Sequence, residues 1–158
     1  MTPNQPPPVL DCGRIIEYAV LSDSVGYSDR TLVFVDGKEL GRVSCLAICD
    51  DKRLGSVVLF YCDSEWTVLG ASGYDSVPNA KERAERTYPG VSACWVKAHV
   101  SKEEAERYQD ELFGADRCSF CGRRPDQAEQ FIHKDEARIC VRCIDEFHDT
   151  LHESPPEQ

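Results

Sequence analysis

Apolar residues fall in short runs over the first half of the chain and at helical spacing afterwards. Residues 14–21 (RIIEYAVL), 31–35 (TLVFV), 42–49 (RVSCLAIC), 56–62 (SVVLFYC) and 66–71 (WTVLGA) are rich in Val, Ile, Leu, Phe and Tyr. Each is too short for a stable helix and is bounded by polar turn residues, so each predicts a β-strand. Asp36-Gly37 is the strongest hairpin signal, because both residues tolerate positive φ; the Asp50-Asp51-Lys52 and Asp63-Ser64-Glu65 turns follow. Strands joined by such short turns pair antiparallel, which predicts a meander. Several runs are apolar on both faces. The sheet is therefore expected to carry helices on one side and other chain on the second.

The period changes after residue 75. Ser76-Val77-Pro78-Asn79 opens a helix that brings Ala80, Ala84 and Tyr88 onto one face and ends before Pro89-Gly90. Residues 93–100 (ACWVKAHV) predict a further strand. Ser101 and Glu104 are spaced as a capping box, with Val100 and Ala105 as its hydrophobic staple. That helix runs through Tyr108 and Leu112 to Phe113 and stops at Gly114. The fold class is α+β: an antiparallel meander with two helices over residues 10–114, a small module over 115–153, and disordered tails at 1–9 and 154–158.

Charge and cysteine content then narrow the setting. The formal net charge is −10, a surface that repels phosphate backbones, so nucleic-acid binding is not expected. No run approaches the roughly 18 apolar residues of a membrane helix, and the N-terminus lacks the basic start and apolar stretch of an export signal. Nine cysteines, an odd number, are expected as thiols and metal ligands in a reducing cytoplasm.

Four of the nine stand as Cys118-x2-Cys121-x18-Cys140-x2-Cys143. Two such pairs supply four thiolates in tetrahedral geometry to one structural Zn2+. Gly122 lets the first pair turn tightly, with backbone amides aimed at sulfur. The second pair opens an amphipathic helix bearing Ile144, Phe147 and Leu151, whose N-terminal dipole favours thiolate. This is a treble-clef-like arrangement. Four protein ligands leave no position for water, so the zinc is structural, and so short a segment needs it to fold.

The segments Cys118-Ser119-Phe120-Cys121-Gly122-Arg123, Phe131-Ile132, Ile139-Cys140-Val141-Arg142-Cys143-Ile144 and Asp149-Thr150-Leu151 resemble the ClpX-type C4 zinc finger. The resemblance covers under a quarter of the chain. It implies zinc at the four cysteines and a module that dimerises and recognises adaptors and some substrates. It also implies an apolar surface from Phe120, Phe131, Ile132, Ile144 and Phe147, of which Phe120 is the best candidate for exposure. The chain lacks a GxxxxGK[ST] phosphate loop, so the unfolding activity of that family is not implied.

Other candidates have plainer explanations. His148 and His152 lie one turn apart but lack a third ligand; His133 sits beside a ligand set already complete. His99 and Cys94, five apart in a strand, would face opposite ways. Cys45 and Cys49 share parity and, with Cys62 and Cys94, read as buried thiols; Cys12 is the likeliest to react. Asp23, Asp29, Asp50, Asp51, Asp63 and Glu65 occupy turns, where carboxylates cap amides. The polar loop 22–30 is the first choice for binding in the larger domain. With no catalytic motif, the expectation is a non-enzymatic, adaptor-like or regulatory protein whose finger dimerises or docks on a protein partner. The competing expectation is a small enzyme or effector domain targeted by the finger.

Overall fold

The computed structural model describes residues 4–11, 13–28, 33–50, 56–114, 116–135 and 137–152. Cys12, Asp29, Asp51, Lys52 and the tail 154–158 lie outside the described residues. The chain divides into two compact units, Met1–Tyr108 and Gln109–Gln158.

The first unit is built on an antiparallel sheet. Its strands are β1 (Val9–Leu10), β2 (Gly13–Val20), β5 (Cys45–Asp50), β6 (Val57–Cys62) and β7 (Val68–Tyr74), in that spatial order; β3 (Phe34–Val35) and β4 (Lys38–Glu39) form a separate hairpin. Asp36 and Gly37 link that hairpin with φ of 50° and 77°, the pair of positive angles such a two-residue turn requires. The simple meander expected from the sequence is thus interrupted. The chain leaves the sheet after β2, makes the hairpin, and returns to pair β5 beside β2. A second expectation changes at the start of the chain. Val9 and Leu10 are buried and pair with Arg14 and Gly13, and the Pro8 carbonyl accepts from the Ile15 amide at 3.1 Å. Prolines suit a sheet edge, and two apolar residues behind them are enough to dock it.

Helix α1 (Val77–Thr87) starts at Ser76, whose Oγ accepts from the Asn79 amide, and places Ala80, Ala84 and the capping Tyr88 inward. A 3-10 turn (Val91–Ala93) and the short strand β8 (Val96–Lys97) occupy the stretch expected to be one long strand. Gly90 and His99, both with positive φ, bound it and explain the shortening. Helix α2 (Lys102–Phe113) is capped by Ser101, which accepts from the Glu104 amide at 3.1 Å; Glu104's carboxyl is not seen to return the bond. The division between the units falls within α2.

Both faces of the sheet are buried. Leu46, Ile48, Leu59 and Tyr61 pack with Ala80, Ala84, Tyr88 and Val91 on one face. Ile15, Cys45, Ala47, Cys49, Phe60 and Cys62 pack with Leu10 and Trp66 on the other, joined by Ala98 and Val100. The second cover is therefore strand, turn and connecting chain, with Trp66 edge-on to Tyr18 at 5.6 Å. The pairing of β2 with β5 shifts by one residue between Ile15 and Glu17, a bulge at Ile16. It lets Ile15, Tyr18 and Val20 share one face while Ile16 and Ala19 meet the other. Among the described residues no helix is long and apolar enough to cross a membrane.

The second unit holds the C-terminal part of α2, a 3-10 turn (Pro125–Gln127), the hairpin β9 (Phe131–Lys134) and β10 (Ala137–Cys140), and helix α3 (Val141–His152). The fold class is α+β with a C-terminal four-cysteine module, as the sequence predicts.

Candidate metal centre

Two short pieces of chain present the four cysteines. Cys118 and Cys121 flank a tight knuckle in which the Gly122 amide donates to the Cys118 carbonyl at 2.9 Å and the Cys118 amide to the Arg123 carbonyl at 2.8 Å. Gly122 adopts φ 73°, which permits that turn without a Cβ clash. Cys140 ends β10 and Cys143 lies in the first turn of α3, so strand and helix meet at the site without a linker. Ser119 ties the knuckle to β10: its amide donates to the Arg138 carbonyl at 2.8 Å, and its Oγ accepts from the Arg138 amide at 2.9 Å.

All four cysteines are buried, and their Sγ atoms lie within 4.8 Å of one another. Cys118 Sγ is 3.8 Å from Cys143 Sγ, and Cys121 Sγ is 3.6 Å from Cys140 Sγ. A tetrahedron with Zn–S bonds of about 2.3 Å needs sulfurs ~3.8 Å apart. The cage has the size of the ion.

Its electrostatics favour thiolates unevenly. Burial pushes the Cys118 thiol up, but amides from Cys121, Cys140 and Phe120 outweigh it and bring the group down to about 6. The Cys140 amide reaches Cys118 Sγ at 3.3 Å, and the Arg123 guanidinium reaches Cys121 Sγ at 3.3 Å. Cys121 and Cys143 are pushed up, first by burial and then by sharing the cage with other sulfurs. Four sulfurs this close cannot all ionise without a cation between them. The cluster also serves as the core of its unit: Cys118, Cys121, Cys140 and Cys143 pack with Ala128, against Phe131 and Ile139.

Residues 116–153 match the ClpX C4-type zinc finger family. The match spans the knuckle, the hairpin and α3, and it agrees with the resemblance read from the cysteine motifs. No curated protein and no solved structure matches the chain. In this ClpX-type finger the four cysteines hold one structural Zn2+.

The apolar residues of the finger separate into two groups. Phe131 is half-buried against the cysteine cluster, and Ile144 is half-buried on α3. Phe120 is 47% exposed, Phe147 42% and Ile132 60%. Phe120 and Phe147 meet edge to face with ring centres 5.3 Å apart. Leu151, further along the stripe of α3, is 81% exposed.

The remaining candidates stay apart from the metal. His148 and His152 lie with ring centres 4.4 Å apart and planes tilted by 48° on α3, His133 lies exposed on β9, and the four cysteines are the one cluster of three or more ligand-type residues among those described. In the first unit Cys45 stands directly opposite Cys62 in the ladder, with Cys49 on the same buried face; Cys94 packs on the opposite face. Loop 22–30 is firmly tied over residues 22–28. Arg42 donates to the Val25 and Ser22 carbonyls, and the Gly26 and Ser28 amides reach Pro89 and Thr87.

Sequence reading missed Arg117, which grips buried Gln109 at 2.8 Å and Asp110 at 2.8 Å. It anchors the chain just ahead of the knuckle. Its position directly before Cys118 was the available signal.

Proposed function

We propose that this protein is a non-enzymatic, zinc-stapled interaction protein. Its finger pairs with a second copy or docks on a protein partner, in an adaptor-like or regulatory role. The observation that carries this reading is the exposed Phe120–Phe147 pair, ring centres 5.3 Å apart, with Ile132 and Leu151 also left in solvent on a unit whose interior is mostly sulfur. Contiguous exposed aromatics at this density mark interaction sites, because water gains when they are covered. Resemblance to the finger of ClpX supports pairing between copies. The odd count of nine cysteines, four of them in metal-ligand spacing, supports a reducing compartment such as the cytoplasm.

Sedimentation of the zinc-loaded chain tests the reading. Association is expected at micromolar to millimolar concentration, with Phe120→Ser and Phe147→Ser each weakening it about tenfold while zinc content is unchanged. A wild-type chain that stays monomeric and neither associates with nor retains any protein partner overturns it.

A further inference from the structure

The first unit has a cleft that the finger's role does not use. It measures about 310 Å³ and is lined by Arg14, Ile16, Glu17, Lys97, His99 and Val100 among others. Its position follows from the sheet. The outer edge of β2 is shared: β1 pairs at residues 13 and 14, and β8 pairs at 17 and 18. The handover falls at the Ile16 bulge, whose carbonyl is taken by the Ala98 amide at 2.9 Å. Bulges recur where a sheet opens to a ligand.

Three features of the cleft converge. Arg14 is fixed in place: its Nε donates to Asp50 at 2.9 Å and its Nη1 to the Val100 carbonyl at 2.8 Å. Lys97 and His99 are exposed and engage no side-chain partner among the described residues. His99 holds φ 55°, a left-handed conformation uncommon for a residue with a Cβ. The carboxylates nearby are already engaged: Asp50 by Arg14, and Glu17 by Lys81. Glu103 accepts from its own backbone amide and from Ser101, and it also feels Arg14.

We propose that this cleft binds a small organic monocarboxylate with an apolar body, its charge met by Lys97 and His99 beside Arg14 and its body lying on Ile16 and Val100. The cleft is the size of small-molecule sites, which are mainly apolar with a few convergent polar groups. A singly charged ligand fits better than a phosphate, because Glu17, Asp50 and Glu103 repel a second negative charge. The proposal does not depend on the finger's role.

Titration of the zinc-loaded full chain with benzoate, followed by amide and imidazole NMR shifts, tests it. Saturable shifts are expected at Ile16, Lys97, His99 and Val100. Benzamide, the neutral isostere, and inorganic phosphate are each expected to bind at least about tenfold more weakly, since a charge-assisted contact is lost or a repulsion gained. Lys97→Gln should weaken benzoate about tenfold without altering the fold, since Lys97 engages no side-chain partner among the described residues. His99→Gly separates a binding role from a structural one. Glycine adopts the left-handed angle freely, so this variant should be at least as stable as the parent and yet bind benzoate more weakly. Benzamide or phosphate binding as well as benzoate, shifts mapping elsewhere, no saturation, or full affinity in both variants overturns the proposal.

Discussion

Glu17 and Lys81 form an ion pair in which the carboxylate is only 10% exposed, and the same ammonium stands 5.7 Å from the centre of the Trp95 ring. A carboxylate taken this far from water needs its cation. Lys81→Met is expected to destabilise the first unit by about 2 kcal/mol, below the full cost of breaking a buried pair because Lys81 itself is part-exposed. Glu17→Gln with Lys81→Met should recover much of that loss. Urea unfolding followed by Trp fluorescence reads both.

The finger has sulfur where other domains have a core. Removing zinc with a chelator, or substituting Cys140→Ser, is expected to unfold residues 116–152 and to leave the Met1–Tyr108 unit folded. Amide NMR resolves the two responses. A finger that keeps native shifts without metal contradicts this.

Two glycines in the sheet differ in what surrounds them. A Cβ on Gly13 would lie 2.8 Å from the Asp50 carbonyl oxygen and 2.8 Å from Cys49 Cβ, whereas on Gly70 it would meet the side-chain ends of Val35 at 2.7 Å and Leu40 at 3.3 Å. Backbone cannot yield as a side-chain tip can. Gly13→Ala should cost about 2–3 kcal/mol and Gly70→Ala about 1 kcal/mol, as overpacking does in proportion to how rigid the neighbour is. Thermal melts of the two variants order them.

Thiol reactivity should divide by burial. Cys45 is pushed up to about 11 by burial and then by Asp63, and Cys62 to about 12 by burial and then by Cys45 and Asp63. Cys49 is raised by burial as well. At pH 8 iodoacetamide is expected to label half-exposed Cys94 in the native protein and to spare these three until the sheet unfolds. Peptide mass mapping distinguishes the sites.

Glu85 closes the loop behind α1. It accepts from the Gly90 amide at 2.8 Å, the Ser92 amide at 2.9 Å and the Ser92 hydroxyl at 2.6 Å. The Gly90 amide first, and then the Ser92 hydroxyl, hold the carboxyl below its ordinary 4.5. A lowered pKa means stability present above 4.5 and lost as pH falls through the folded value. Glu85→Gln should cost up to about 1 kcal/mol at pH 7, since the group is exposed, and the gap to wild type should close in acid. Melting curves at pH 7 and below 4 give the comparison.

The finger was legible because its chemistry is local. Four cysteines at fixed spacing and Gly122 specify the cage without reference to the rest of the chain. The strands around Cys45–Asp50 and Val57–Cys62 were legible from composition, and α1 from Ser76 and its apolar period. The sheet's order was not, because nothing near β2 in sequence says that it pairs with residues beyond the Asp36-Gly37 hairpin. The cleft was hidden for the same reason: Arg14 and His99 are brought together by the outer edge of β2, a pairing across more than eighty positions. Nothing in the sequence separates His99 from an ordinary strand residue; its left-handed backbone angle belongs to the folded chain.

The bulge at Ile16 acts on β2 as an extra letter acts on a reading frame. Upstream of it, odd-numbered residues face the Trp66 side; downstream, even-numbered ones do. Flattening the bulge while Ile16 stays in the ladder would send every later residue of the strand to the other face. Tyr18 and Val20 would turn toward α1, and the carboxylate of Glu17 toward a wall of cysteine and phenylalanine. One residue of no chemical distinction thus keeps two hydrophobic layers in translation with each other.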